Sequence, residues 1–71
     1  MSDSVYRVTQ LIGTSTESWE KAAQTAIQTA ASSVRDLRIA ELDKSDLVIE
    51  NGQITHYRVR LSVSFKYESE S

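Results

Sequence analysis

The sequence predicts an α+β fold in the order strand, helix, strand, strand, with a three-stranded antiparallel sheet wrapped around one helix. Three observations carry it. "QITHYRVRLSVSFKY" alternates strictly, with Tyr57, Val59, Leu61, Val63, Phe65 and Tyr67 on one side and His56, Arg58, Arg60, Ser62, Ser64 and Lys66 on the other. That is the period of a half-buried strand. Asn51-Gly52 separates this run from a second one, "LRIAELDKSDLVI", and a type I′ hairpin turn needs positive φ at both central residues. Upstream, Trp19, Ala22, Ala23, Ala26, Ile27, Ala30 and Val34 recur at three- and four-residue steps as one apolar helical stripe.

Each element follows in order. "VYRVTQLIG" reads as a strand ending at Gly13, with Tyr6, Val8 and Ile12 on one face and Gln10 interrupting it. Thr14, Ser15 and Thr16 are stacked N-cap candidates, and Thr14 and Glu17 have capping-box spacing. Glu17 and Glu20 fall in the first turn, where the helix dipole favours anions. The predicted helix runs from about residue 16 to 33, about 27 Å. Its stripe is mostly alanine, so it lies close to a sheet and buries little by itself. A two-residue turn sets the hairpin register: Glu50 faces Gln53, Leu42 faces Leu61 and Ala40 faces Val63. Opposed residues share a face, so Ile39, Glu41 and Asp43 turn to the other side, opposite Ser64, Ser62 and Arg60. A bulge near residues 44–46 would shift that pairing. The simplest closure puts the last strand in the middle and leaves one sheet face bare, a natural surface for association between copies.

Length and composition set the bounds. Residues 1–71 form a single domain, with 1–4 and 68–71 read as frayed polar ends. There is no cysteine, hence no disulfide framework or thiolate metal site. No apolar run is long enough to span a membrane or serve as a signal core, so the default compartment is the cytoplasm. Net charge is −2 with both signs interspersed, which disfavours nucleic acid. Area scaling gives roughly 7,000 Å² removed from water, about half apolar. At about 25 cal/mol/Å² that is about 90 kcal/mol, and ordering about 60 residues costs nearly the same. A lone copy breaks even, and association is the expected supplement.

"YRVTQLIGTSTESWEKAAQTAI", then "IAEL", then "NGQITHYRVRLSVSFK" resembles the dodecins, nearly end to end and without a gap. The specific pieces are "GTS" before the helix, "SWE" with the following "AA" in its first turns, and the "YRV" and "VSFK" segments of the last strand. The resemblance implies twelve copies in a hollow homododecamer and a non-enzymatic role: binding and storing flavins (FMN or riboflavin) and quenching their photochemistry. It places the flavin-stacking tryptophan position at Ile39 and a flanking glutamine position at Arg58. Both depart from the family pattern. Isoleucine offers apolar area without stacking geometry, so flavin binding is expected to be weakened, while Arg58 can stack on a ring or pair with a phosphate and so leaves room for residual binding of a phosphorylated flavin. At least one dodecin-like branch that lacks the tryptophan is calcium-binding rather than flavin-binding, and this chain looks closer to that branch. Calcium needs six to eight oxygens, and the candidates are Glu17, Glu20, Glu41, Asp43, Asp46 and Glu50, none in an EF-hand spacing.

The plainer readings stand beside these. Trp19 lies on the apolar stripe as a core or interface residue. His56 is a strand residue without a nucleophile or orienting acid, so no triad logic applies. Glu41 and Asp43 are read as charge partners of Arg60, and Arg58 as an ion-pair partner rather than a flavin clamp. "IGTSTE" has one glycine and makes no phosphate loop. The competing function class is a small interaction module that dimerises through its sheet.

Overall fold

A computed structural model describes residues 4–66. Tyr67 and most of the end residues read as frayed lie outside the described residues. The order is β1 (Tyr6–Ser15), α1 (Trp19–Ala31), β2 (Leu37–Glu50) and β3 (Gln53–Lys66). The sheet order is β1-β3-β2, with both pairings antiparallel and β3 in the middle. The α+β architecture is the one the sequence predicts. Asn51 at φ 51° and Gly52 at φ 75° form the tight turn between β2 and β3.

The boundaries around the helix differ from the expectation. β1 does not stop at Gly13 but continues to Ser15, pairing Thr14 with Arg58 and Ser15 with Tyr57. Thr14 is thereby held in the sheet and does not cap. Ser18 is the N-cap instead, its Oγ accepting the Lys21 N–H at 3.0 Å. The Ser15 hydroxyl accepts from the Glu17 N–H at 2.9 Å and bends the chain from strand to helix. At the other end, the Ser32 hydroxyl donates to the Thr29 carbonyl at 2.7 Å and that of Ser33 to the Ala30 carbonyl. These local bonds compete with helix continuation, so α1 is 13 residues rather than the longer helix expected.

Gly13 has a role other than ending a strand. It lies directly under the helix, where an added Cβ would collide with the Ala22 carbonyl oxygen and come within 2.9 Å of the Ala26 Cβ. The missing side chain is what lets Ala22 and Ala26 reach the sheet. The core is small: Ala22, Ala26, Val59, Leu61 and Val63 are buried, with Leu11, Ala23, Ile27 and Leu37 packed at its edge.

The hairpin register holds at Glu50↔Gln53, Leu42↔Leu61, Ala40↔Val63, Glu41↔Ser62 and Ile39↔Ser64. It holds because two irregularities cancel. β3 carries an extra residue at Thr55, and β2 carries one at Asp43. Between them the pairing slips by one, so Lys44 rather than Asp43 faces Arg60, and Asp46 faces Arg58. Lys44, not Asp43, is therefore the cross-strand neighbour of Arg60. Tyr6, Val8 and Ile12 lie away from the helix and are exposed; Leu11 and Gly13 are the β1 residues that meet it.

Candidate functional site

The bare face of the sheet reads as four rows across β1, β3 and β2. They are Val8–Ser64–Ile39, Gln10–Ser62–Glu41, Ile12–Arg60–Lys44 and Thr14–Arg58–Asp46. Val59, Leu61 and Val63 point to the helix, so alternation fixes these rows on the opposite side.

Asp46 and Arg58 form a two-pronged ion pair. Arg58 Nε donates to Asp46 Oδ1 and Nη2 to Oδ2, both at 2.8 Å. The hydrogen-bonded Arg58 guanidinium is the main reason the Asp46 carboxyl sits below its ordinary value of 3.8; the charges of Arg58 and Arg60 act the same way, against a desolvation penalty. The bond to Asp46 raises Arg58 in turn. Both side chains are well exposed, so the pair orients Arg58 more than it stabilises the fold. A carboxyl whose folded pKa is lowered contributes stability above its unfolded value and loses it as pH falls through the folded one. Asp46→Asn is accordingly expected to lower the melting temperature slightly at neutral pH. The gap should close as pH drops below about 3.8. A gap that persists unchanged at lower pH would exclude the ion pair as its source.

Asp43 is carried out of register by the bulge. Its Oδ2 accepts from the Ser62 hydroxyl and from Gln10 Nε2 at 3.3 Å. The expected pairing of Glu41 and Asp43 with Arg60 is not formed: among the described residues the Arg38–Asp36 and Arg58–Asp46 contacts are the ion pairs whose partners are defined. The sequence allows for a bulge near residues 44–46; it lies at Asp43, with a second on β3 at Thr55, and no local pattern fixes either position.

Ile39 is exposed at 62%. It lies beside Ser64, whereas Arg58 lies six residues further along β3, about 20 Å at the rise of a strand. One chain does not bring the two together. The acidic residues are also dispersed: Glu20 in the first turn of α1, Glu17 ahead of the Ser18 cap and so outside the turn expected for it, Glu41, Asp43 and Asp46 on β2, and Glu50 at the hairpin tip. Among the described residues no three His, Cys, Asp or Glu side chains are grouped to hold a metal ion.

Trp19 links the helix to the hairpin. Its indole N–H donates to the Asp46 carbonyl at 3.1 Å, and its ring meets Tyr57 edge-on at 5.3 Å and 80°. It is 40% exposed and walls a groove of about 280 Å³ with Ala23, Ile27, Leu42 and Leu61. His56 Nδ1 lies 3.2 Å from the Thr55 hydroxyl, the bulged residue. No described helix is long and apolar enough to cross a membrane.

The dodecin family model matches residues 5–68, nearly the whole chain. The chain belongs to the dodecin family. Among solved dodecins, the Streptomyces coelicolor structure superposes with a TM-score of 0.92 at 34% identity, covering 99% of this chain and 100% of that one. Calcium dodecin of Mycobacterium tuberculosis is 50% identical over 64 residues, 89% of each chain. The solved structure of a calcium-chelating calcium dodecin from the same organism, reported with a novel calcium-binding site, superposes with a TM-score of 0.82 at 45% identity, covering 96% of this chain and 97% of that one. The dodecin likeness read from the sequence is borne out, as is its closeness to the calcium-binding branch.

Proposed function

We propose that this chain is a subunit of a dodecin-type homododecameric shell that binds and stores small ligands and carries out no reaction of its own. The observation that supports it best is exposed apolar surface on the sheet. Val8, Ile12, Ile39, Leu42, Ile49 and Ile54 are all more than half exposed, which suits faces that sister copies cover.

The family ligand, FMN or riboflavin, is held weakly in this reading. Ile39 and Arg58 are the residues at the ring site, contributed by different copies because they lie far apart within one. Ile39 presents an apolar face and no ring to stack on. Arg58 is turned onto Asp46, so its guanidinium meets a ring only by leaving that pair.

A calcium-binding shell is the second reading, favoured by the 50% identity to calcium dodecin. The carboxylates of this chain are scattered, so Glu41, Asp43, Asp46 or Glu50 would supply a hard-cation site only as copies converge on a symmetry axis. Such an axis multiplies one carboxylate into the several oxygens that calcium requires.

Three measurements separate these outcomes. Native mass spectrometry is expected to give twelve subunits at micromolar concentration, and a monomer or dimer there overturns the shell. Riboflavin and FMN titrations followed by fluorescence quenching are expected to show weak binding; tight stoichiometric quenching contradicts it. Ile39→Trp restores an aromatic face worth about 0.5–1.5 kcal/mol per ring pair, an expected gain of up to about tenfold in flavin affinity. No gain would mean that Ile39 does not line the ring site. Calorimetry with calcium, on the same sample, tests the second reading directly.

A further inference from the structure

The two compensating bulges have a chemical consequence. They place Lys44 directly across from Arg60, on the bare face, in the row completed by Ile12. Like charges directly opposite on neighbouring strands destabilise a sheet. A sheet without the slip would have put Asp43 opposite Arg60 and removed the conflict.

The nearby carboxylates do not resolve it. Asp46 is engaged by both prongs of Arg58 and acts on Arg60 only through its charge, without an ion-pair contact. Asp43 is held by Ser62 and Gln10. Glu41 belongs to the next row, opposite Ser62. Among the described residues, neither Lys44 nor Arg60 has a carboxylate within ion-pair distance. A shallow concavity of about 30 Å³ opens between them, floored by Val59 and edged by Ile12, Asp46 and Arg58.

We propose that Lys44 and Arg60 form a seat for a phosphate-bearing small anion on the bare face of the sheet. The chemistry fits this class. Cross-strand partners have Cβ atoms about 4.5–5.5 Å apart, so both cationic heads reach one tetrahedral oxyanion. The guanidinium of Arg60 offers a planar fork and the ammonium of Lys44 a compact charge, the two complementary ways of holding a phosphate. Two positive charges match a phosphate dianion. The concavity has room for about one or two waters, enough to seat oxygens and too small to enclose a ligand, so the body of the molecule extends beyond it. Arg58 is the less suitable partner because Asp46 already occupies its fork. The proposal does not depend on flavin being the ligand.

Calorimetric titration of the full chain with inorganic phosphate and pyrophosphate, at low salt, tests it. Saturable binding is expected, stronger for pyrophosphate and weakened as salt rises. Lys44→Gln and Arg60→Gln are each expected to weaken it at least about tenfold, the scale of one lost charge-assisted contact. Arg38→Gln, at a cation paired with Asp36 elsewhere, should leave it unchanged. Both test variants remove a like-charge repulsion, so they should fold at least as well as the parent by thermal melting. Absence of saturable binding, or binding indifferent to both substitutions, overturns the proposal. So does a change in subunit number by native mass spectrometry in these variants without phosphate binding by the parent, since the two cations would then meet carboxylates of a second copy.

Discussion

Gly13→Ala is expected to destabilise the fold by about 3 kcal/mol, the upper range for forcing atoms into a packed interior. The new Cβ meets the backbone carbonyl of Ala22 first and the Ala26 methyl next. Trimming a side chain relieves only the second contact, because the first is main chain. The helix must therefore lift from the sheet, exposing Ala22, Ala26 and the β3 residues beneath them. For a domain of this size 1 kcal/mol corresponds to about 4–8 °C, so a fall in melting temperature of about 12–24 °C is expected at matched protein concentration. Gly52→Ala is the informative comparison. Gly52 has a positive φ of 75° and nothing near its absent Cβ, so its cost is the backbone strain alone, about 1–2 kcal/mol. A Gly13→Ala protein that melts within a few degrees of the parent would show that helix and sheet do not approach as closely as described.

Leu61→Ala is expected to cost about 2–5 kcal/mol, the usual range for emptying a buried leucine site. Leu61 is 3% exposed at the centre of β3, between Leu11 and Leu42 in its row. A core of so few residues has little with which to fill the void. The row partner Leu42 is 60% exposed in the single chain. In an isolated subunit Leu42→Ala should cost well under half as much as Leu61→Ala by urea unfolding. In the proposed shell, with a sister copy over this position, the two costs should converge. Equal costs in a protein shown to be monomeric would contradict the exposure of Leu42.

The fold was legible in the sequence for a physical reason. Secondary structure and register in a small sheet follow from periodicities of two and 3.6 and from turn chemistry, all local. Alternation through β3, the Asn51-Gly52 turn and the alanine stripe of α1 each left a mark within a dozen residues. Helix ends were less legible because four hydroxyl residues precede the helix; pairing with β3 holds Thr14 and Ser15 in the sheet, and the cap falls to Ser18, which is not among the expected candidates.

The bare face was legible only in part. Alternation along β3 assigned Arg58 to it, and the register set by the Asn51-Gly52 turn assigned Ile39. Which charges meet there depended on bulges at Asp43 and Thr55 that no local pattern announces, and a slip of one residue exchanges every partner between them. Arg58 was a charge without an assigned partner until the slip set Asp46 opposite it. Arg60 was assigned two acidic partners and has a lysine.

The sequence by itself determined the strand–helix–strand–strand order, the hairpin and the family, because these depend on near neighbours in the chain. Tertiary structure decided that Gly13 is a contact point, that Asp46 holds Arg58, and that Lys44 confronts Arg60. Those outcomes depend on how residues distant along the chain are brought into register, and a shift of one position, invisible in composition, is enough to change them.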